Sequence, residues 1–259
     1  MPVADRAIWW EGFYNARDLG GLPTISGAAT RYGVLIRSAD PRFVTAVGWQ
    51  SAVDAGFRTV LDLRNDDEAE PGSIRNATLD AGTFPVPGAA TVIKRPAELR
   101  SLRIPLDDIE DVTFWRPLNE KGLNGTPLYF RPFIEAKPQR IAAVMVAIAR
   151  ARPGGIIFHC GGGRDRAGLM SLLLLSLAGV TPHAIAEDYE LSLVWMQPLF
   201  DALGMQQQVP SMHAEVEKHG TTIRSAITDF LDGLDVARLL RDTGVSEPDI
   251  AELQGRLME

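Results

Sequence analysis

The chain has 259 residues, 46% hydrophobic and 23% charged, with a formal net charge of -7, four histidines and a single cysteine. Those totals suit one globular domain with a sizeable core, exclude a broad basic face for nucleic acid or anionic lipid, and exclude an intramolecular disulfide. The lone thiol suits a reducing compartment, and the scattered histidines give no metal-ligand spacing, so no metal and no other cofactor is expected.

In chain order, "MPVADRAIWWEGFYNARDLGG" lacks the unbroken apolar run of a signal peptide, so a cytoplasmic location is expected, with export by a route that uses no such signal left open. Within it, Arg17 and Asp18 read as a structural ion pair. "YGVLIRS" from Tyr32, "FRTVLDLR" from Phe57, "LRIPL" from Leu102 and "GGIIFHC" from Gly154 are short apolar runs flanked by polar or turn residues, the mark of buried strands. "SADPRFVTAVGWQSAVDAG" reads as a helix with a glycine stop between the first two. Thr78 to Arg103 is irregular, with Pro85, Pro87 and Pro96, and its cations in "KRPAELRSLR" read as a solvated loop or helix face in preference to a basic lip for an acidic substrate.

"AKPQRIAAVMVAIARARPGG" gives a clearer helix, with Pro138 in its first turn and an apolar stripe of Ile141, Val144, Met145 and Ile148. Leu169 to Val180 is too short for a membrane span of roughly 20 residues and reads as a buried helix, so no stable membrane insertion is expected. After Gly179 the pattern is helical to the end, with Ser246 or Glu247 opening the last helix. The expected fold is α/β: a central, mainly parallel sheet flanked by helices, one domain over 1–259, with residues about 181–259 a helical extension. Residues from about Gln206 to Leu234 are either a lid over the functional site or an ordinary helical subdomain.

"FHCGGGRDRAG", residues 158–168, holds the cysteine between a strand and a helix. A helix N-terminus offers free N–H donors and partial positive charge, which favour a thiolate, with pKa values of roughly 3.5 to 7.5 for cysteines so placed. Gly161, Gly162 and Gly163 are read as freeing the loop to turn its N–H groups toward one point, a cradle for a tetrahedral oxyanion. Arg166 supplies a planar fork for two of its oxygens. Asp165 has two readings, a cap for the helix that follows or a general acid; Asp62, Asp107 and Asp108 are its rivals for the second. His159 is read as bonding backbone near the loop and tuning the thiolate.

His159-Cys160, five residues and Arg166 resemble the signature of cysteine-dependent protein tyrosine phosphatases. "HCGGGRDRAG" is most similar to the bacterial and fungal branch whose loop reads His-Cys-x-x-Gly-Lys-Asp-Arg-Thr-Gly. "NARDLGGLPT" from Asn15, "RYGVLIRSAD" from Arg31, "FRTVLDLR" and "EDYELS" from Glu187 match other landmarks of that branch in order. The resemblance implies a tyrosine-phosphatase fold and a phosphomonoesterase with Cys160 as nucleophile. Asp165 would be the acid, and Gly161, Gly162, Gly163, Arg164, Arg166, Ala167 and Gly168 would line the phosphate site. Its substrates would be phosphorylated proteins, phosphotyrosine foremost and phosphoserine or phosphothreonine in some members, or phosphoinositides, with inorganic phosphate as product. Asp188 and Tyr189 would buttress the loop.

Two departures stand out. Arg164 replaces a lysine, and Ala167 replaces a hydroxyl residue whose loss would cost the second chemical step about 1.5 to 3 kcal/mol. Two other readings stand beside this one: a phosphatase-fold module that grips phosphorylated ligands and turns over poorly, and a rhodanese-like sulfurtransferase, against which the two arginines and "DRAG" argue.

Overall fold

The computed structural model describes residues 6–69, 94–205 and 208–258. The apolar runs form strands: β1 (Arg17–Asp18), β2 (Leu35–Ser38), β3 (Phe57–Asp62), β4 (Arg100–Arg103) and β5 (Gly155–His159). They make one sheet in the order β1-β2-β5-β3-β4, antiparallel at β1 and parallel elsewhere. The sheet is thus mainly parallel, as expected. β4 differs in register from the sequence reading, ending at Arg103 where "LRIPL" was expected to carry on, because Pro105 has no N–H for a ladder. Most of the irregular stretch beginning at Thr78 lies outside the described residues.

The helices are α1 (Ala46–Asp54), α2 (Asp66–Ala69), α3 (Val112–Glu120), α4 (Phe130–Ala136), α5 (Pro138–Ala149), α6 (Arg166–Leu177), α7 (Pro182–Trp195), α8 (Gln197–Leu203), α9 (Val209–Lys218), α10 (Ile223–Leu231), α11 (Val236–Asp242) and α12 (Glu247–Leu257). Local signals set several starts. The hydroxyls of Thr45, Thr181 and Ser246 accept from the N–H groups of Gly48, Ala184 and Asp249, and Pro138 and Pro182 sit where their missing N–H costs nothing. α3 and α4 had no assignment from sequence; Pro117 inside α3 hides its helical spacing.

Alternate strand residues feed two cores. Leu35, Leu61, Ile156 and Phe158 join the large cluster that holds α5 and α6, while Ile36, Val60 and Ile157 pack with Trp49 of α1, Phe57 and Phe13 on the other face. β5, with all five residues buried, is the sheet's centre. The C-terminal helices extend the large core: α10 packs on α7 through Ile223, Ile227 and Phe230, and α12 packs on α5 and α6. Among the described residues no helix is long and apolar enough to cross a membrane.

Parallel pairing brings Ser38 of β2 and Asp62 of β3 level with His159 of β5. The loops after β2, β3, β4 and β5 therefore leave from one edge of the sheet, the edge where α/β proteins place their ligands.

Candidate active site

The loop from Cys160 to Asp165 is held by its carbonyls from outside. The backbone N–H of Asp40 donates to Gly161 O at 2.8 Å, and Asn15 Nδ2 donates to Gly162 O at 2.9 Å. Arg37 Nη2 donates to Gly163 O at 2.7 Å and to Arg164 O at 3.3 Å. Because C=O and N–H point opposite ways across a planar peptide, carbonyls tied outward turn the intervening N–H groups inward. The N–H groups of Gly163 and Ala167 face the sulfur of Cys160. Gly163 alone of the three glycines needs to be glycine for its backbone: its φ is +71°, and a Cβ there would meet the carbonyl of Ser38 at 2.6 Å. Gly161 and Gly162 have ordinary backbone angles, so the expectation of three freed positions reduces to one. A Cβ at Gly162 would press on Met196, and one at Gly168 on the Tyr189 ring at 2.9 Å.

Behind the loop lies a buried cation cluster. Asp188 Oδ1 accepts from Arg6 Nη1 at 2.7 Å and Arg17 Nε at 3.0 Å, and its Oδ2 accepts from Arg37 Nη1 at 3.1 Å. Arg17 also donates to Asn15 Oδ1 at 2.8 Å, so Asn15 and Arg37, the two side chains that grip the loop, share one anchor. Against the cost of burial, Arg17, Arg6 and Arg37 hold the Asp188 carboxyl well below the usual range, while burial beside Arg37 lowers Arg17 to about 9. Asp188 thus buttresses the loop as expected. Arg17 and Asp18 do not pair with each other: neighbours on a strand point to opposite faces, and Asp18 instead accepts from the N–H groups of Gly20 and Gly33 at 2.8 and 2.7 Å.

At the mouth the charge balance reverses. Arg166 donates through Nη1 and Nη2 to both carboxylate oxygens of Glu68 on α2, the Nη2 bond being 2.7 Å, and its Nε lies 3.2 Å from Asp107 Oδ2. Glu68 is itself fixed by the N–H of Asn65 at 2.8 Å. Against burial, Arg166 lowers the Glu68 pKa; for Asp107 burial prevails over Arg166, aided by Glu68 and Asp165, and lifts the pKa to about 6. Cys160 is 2% exposed, and burial raises its thiol despite Arg166 and the two N–H groups. The expected depressed thiol is therefore not the state seen, because burial, with the Asp165 carboxylate adding to it, outweighs Arg166 and the loop N–H groups.

The other named residues divide by position. Asp165 does not cap α6; its carboxylate takes Arg164 Nε at 2.9 Å and Nη2 at 3.1 Å, and Arg164 Nη2 also holds Gly125 O at 3.0 Å. Arg164 lies 5% exposed in this fork. Asp62 accepts from Arg64 Nε and Nη2 at 2.9 and 2.8 Å and, against burial, is held far below the carboxylate range, which removes it as an acid. Asp108 faces Arg140 of α5 at 3.1 Å. His159 is fully buried, which lowers its pKa to about 4 and keeps it neutral; its Nδ1 lies 3.4 Å from Cys160 O and 3.8 Å from Asp62. Glu68 went unnamed in the sequence. Its signal is "NDDEAE" at the end of a strand parallel to the cysteine strand, where the sheet edge gathers loops. Around the loop, Met196 and Glu68 provide cover, while α9 and α10 pack against α3, α4 and α7 as part of the core.

Residues 8–259 match the model of the tyrosine phosphatase family. A tyrosine-protein phosphatase of Nostoc commune is 31% identical over 248 residues, covering 91% of this chain and 78% of the relative. A protein of Cupriavidus necator named as a candidate tyrosine-protein phosphatase is 29% identical over 181 residues, 68% of this chain and 59% of its own length. The match to the family model covers the sheet, the cysteine loop and the C-terminal helices together, and the chain belongs to the tyrosine phosphatase family, whose members hydrolyse phosphoric monoesters.

Proposed function

We propose that the chain is a phosphomonoesterase that works through a cysteinyl-phosphate at Cys160, with phosphotyrosine in proteins as its first substrate class and phosphoserine, phosphothreonine and phosphoinositides as wider ones. The observation that supports it most is the set of loop carbonyls tied outward by Asp40, Asn15 and Arg37, which leaves N–H donors converging on the Cys160 sulfur at the start of α6. In this reading the sulfur attacks phosphorus, loop N–H groups and Arg166 hold the equatorial oxygens, and the leaving oxygen departs with a proton. Water then attacks the phosphoenzyme and returns the sulfur. Arg164 serves the cradle by fastening Asp165 and the Gly125 loop, and Gly168 by letting α6 approach Tyr189.

Ala167, fully buried with no hydroxyl for the departing sulfur, supports a slow second step and gives the binding-module reading its one foothold. Rapid mixing with p-nitrophenyl phosphate separates the readings. Sustained turnover that Cys160→Ser and Arg166→Ala both abolish is expected. A single stoichiometric burst would favour the binding module, and turnover that survives Cys160→Ser would sink the phosphoenzyme.

A further inference from the structure

Given a phosphoenzyme at Cys160, the leaving oxygen needs a proton donor, and the geometry of Arg166 points to one. Its terminal edge, Nη1 with Nη2, belongs to Glu68. The side edge, Nε with the remaining Nη2 proton, is the one a phosphate can grip with two parallel bonds. Asp107 Oδ2 stands on that edge, 3.2 Å from Nε. Its other oxygen, Oδ1, is sealed from solvent without a hydrogen-bond partner among the described residues, and the side chain is 15% exposed. Buried polar atoms are rarely left so unless they have work to do. Asp165, by contrast, has both oxygens engaged by Arg164.

We propose that Asp107 gives the proton to the leaving oxygen, and that the substrate's own phosphate frees it by taking its place at Arg166 Nε.

The charged and titratable groups facing Asp107 are Arg166 of α6, Asp165 before it, Glu68 of α2, Arg140 of α5 and the hydroxyl of Tyr129. Burial leads that set and brings the carboxyl to about 6, close to the pH at which a general acid is effective. Once phosphate replaces it at Nε, Asp107 loses its nearest cation and gains a neighbouring anion, both of which favour the protonated form.

The proton count closes. At rest the pair holds one proton, on the raised thiol; in the reactive state it holds one, on Asp107, with Cys160 as thiolate. In the first step the sulfur pair forms the S–P bond, the P–O pair passes to the leaving oxygen, and that oxygen takes the Asp107 proton. In the second, water's oxygen bonds to phosphorus, its proton goes to Asp107, and the S–P pair returns to sulfur. Alcohol and inorganic phosphate leave, and no oxidant, metal or other reactant is consumed.

Leaving-group dependence tests this. p-Nitrophenolate departs with little help, whereas phenolate, whose conjugate acid has a pKa of about 10 like tyrosine, needs the proton. Asp107→Asn should lower kcat/KM on phenyl phosphate by about 100-fold or more but on p-nitrophenyl phosphate by less than about tenfold, and flatten the basic limb of the pH profile. Inhibition by tungstate, a phosphate-shaped anion, should persist or tighten in the variant, which reports an intact fold and the loss of a competing carboxylate. Asp165→Asn should slow both substrates by a common factor. An equal loss on both substrates in Asp107→Asn, loss of its tungstate inhibition, or leaving-group selectivity in Asp165→Asn would each overturn the proposal. Cys160→Ser is the separate control: turnover surviving in it would fell the phosphoenzyme itself and leave the leaving-group data without their premise.

Discussion

Two clusters of arginine and carboxylate, one buried and one half-buried, flank the Cys160 loop, and they differ in stoichiometry. Behind the loop one carboxylate, Asp188, meets Arg6, Arg17 and Arg37; at its mouth one guanidinium, Arg166, meets Glu68 and Asp107. The cation-rich cluster saturates its carboxylate, leaves it ionised at any working pH, and spends the guanidinium donors on loop carbonyls. In the anion-rich cluster Arg166 is shared between two carboxylates, Asp107 keeps an oxygen unpartnered among the described residues, and burial, aided by Glu68 and Asp165, holds its pKa up. The same pair of residue types builds a rigid mount in the first case and an exchangeable site in the second. What decides is which charge is in excess.

The largest effect should come from breaking the mount. Asp188→Asn leaves three buried arginines without their anion, and removing one partner of a buried pair costs about 3 to 5 kcal/mol. Chemical denaturation at neutral pH should show that loss. Because the folded pKa of Asp188 lies far below an unfolded value of about 3.9, its contribution is complete above that value and drains away as pH falls below it. The gap between wild type and variant should therefore close in acid. A gap that does not change with pH would mean that packing, not charge, holds the mount together.

The two clusters were not equally legible in the sequence. Cys160, Arg166 and the strand-loop-helix order stand together in eleven residues, and the parallel sheet follows from apolar runs spaced by helices, so local patterns sufficed. Asp188 could be named by resemblance, but its partners lie 151 to 182 positions away, and no local spacing reports such pairs. The opposite charge nearest to Arg17 in sequence is Asp18, but strand alternation sends Arg17 to Asp188 and Asp18 to the N–H groups of Gly20 and Gly33. Glu68 and Asp107 are ordinary acids in polar stretches; only the convergence of loops at one sheet edge gives them a common target. The thiol's raised pKa is not legible either, since it follows from burial, which only the packed fold produces.

The next effect in size concerns the departing sulfur. Ala167 donates its N–H toward Cys160 but has no hydroxyl. Ala167→Ser adds one in a fully buried position, and a hydrogen bond to a charged group is worth about 1.5 to 3 kcal/mol, or on the order of 10- to 100-fold in rate. Steady-state turnover after the burst should rise by up to that factor while the burst rate stays near its wild-type value. An unchanged steady state would show that hydrolysis of the phosphoenzyme is already well served by the loop N–H groups.

The smallest predicted effect goes to the charge excess itself. In Glu68→Gln one of the two anions on Arg166 is neutralised while a hydrogen-bond acceptor remains, so more of the guanidinium field falls on the sulfur. Burial raises the Cys160 thiol with Arg166 as the main opposing influence, and strengthening that influence must lower it. A shift of one unit corresponds to about 1.4 kcal/mol and, below the thiol pKa, to about tenfold more thiolate. Alkylation of Cys160 by iodoacetamide at neutral pH should accelerate by up to that factor, and its pH midpoint should move down. The same substitution leaves Asp188 and its arginines untouched, so stability should hardly change. Faster alkylation with unchanged stability would confirm that the mouth cluster restrains the nucleophile through charge. Slower alkylation would mean that Glu68 holds Arg166 where its field reaches the sulfur, making it a mount like Asp188 and erasing the distinction between the two clusters.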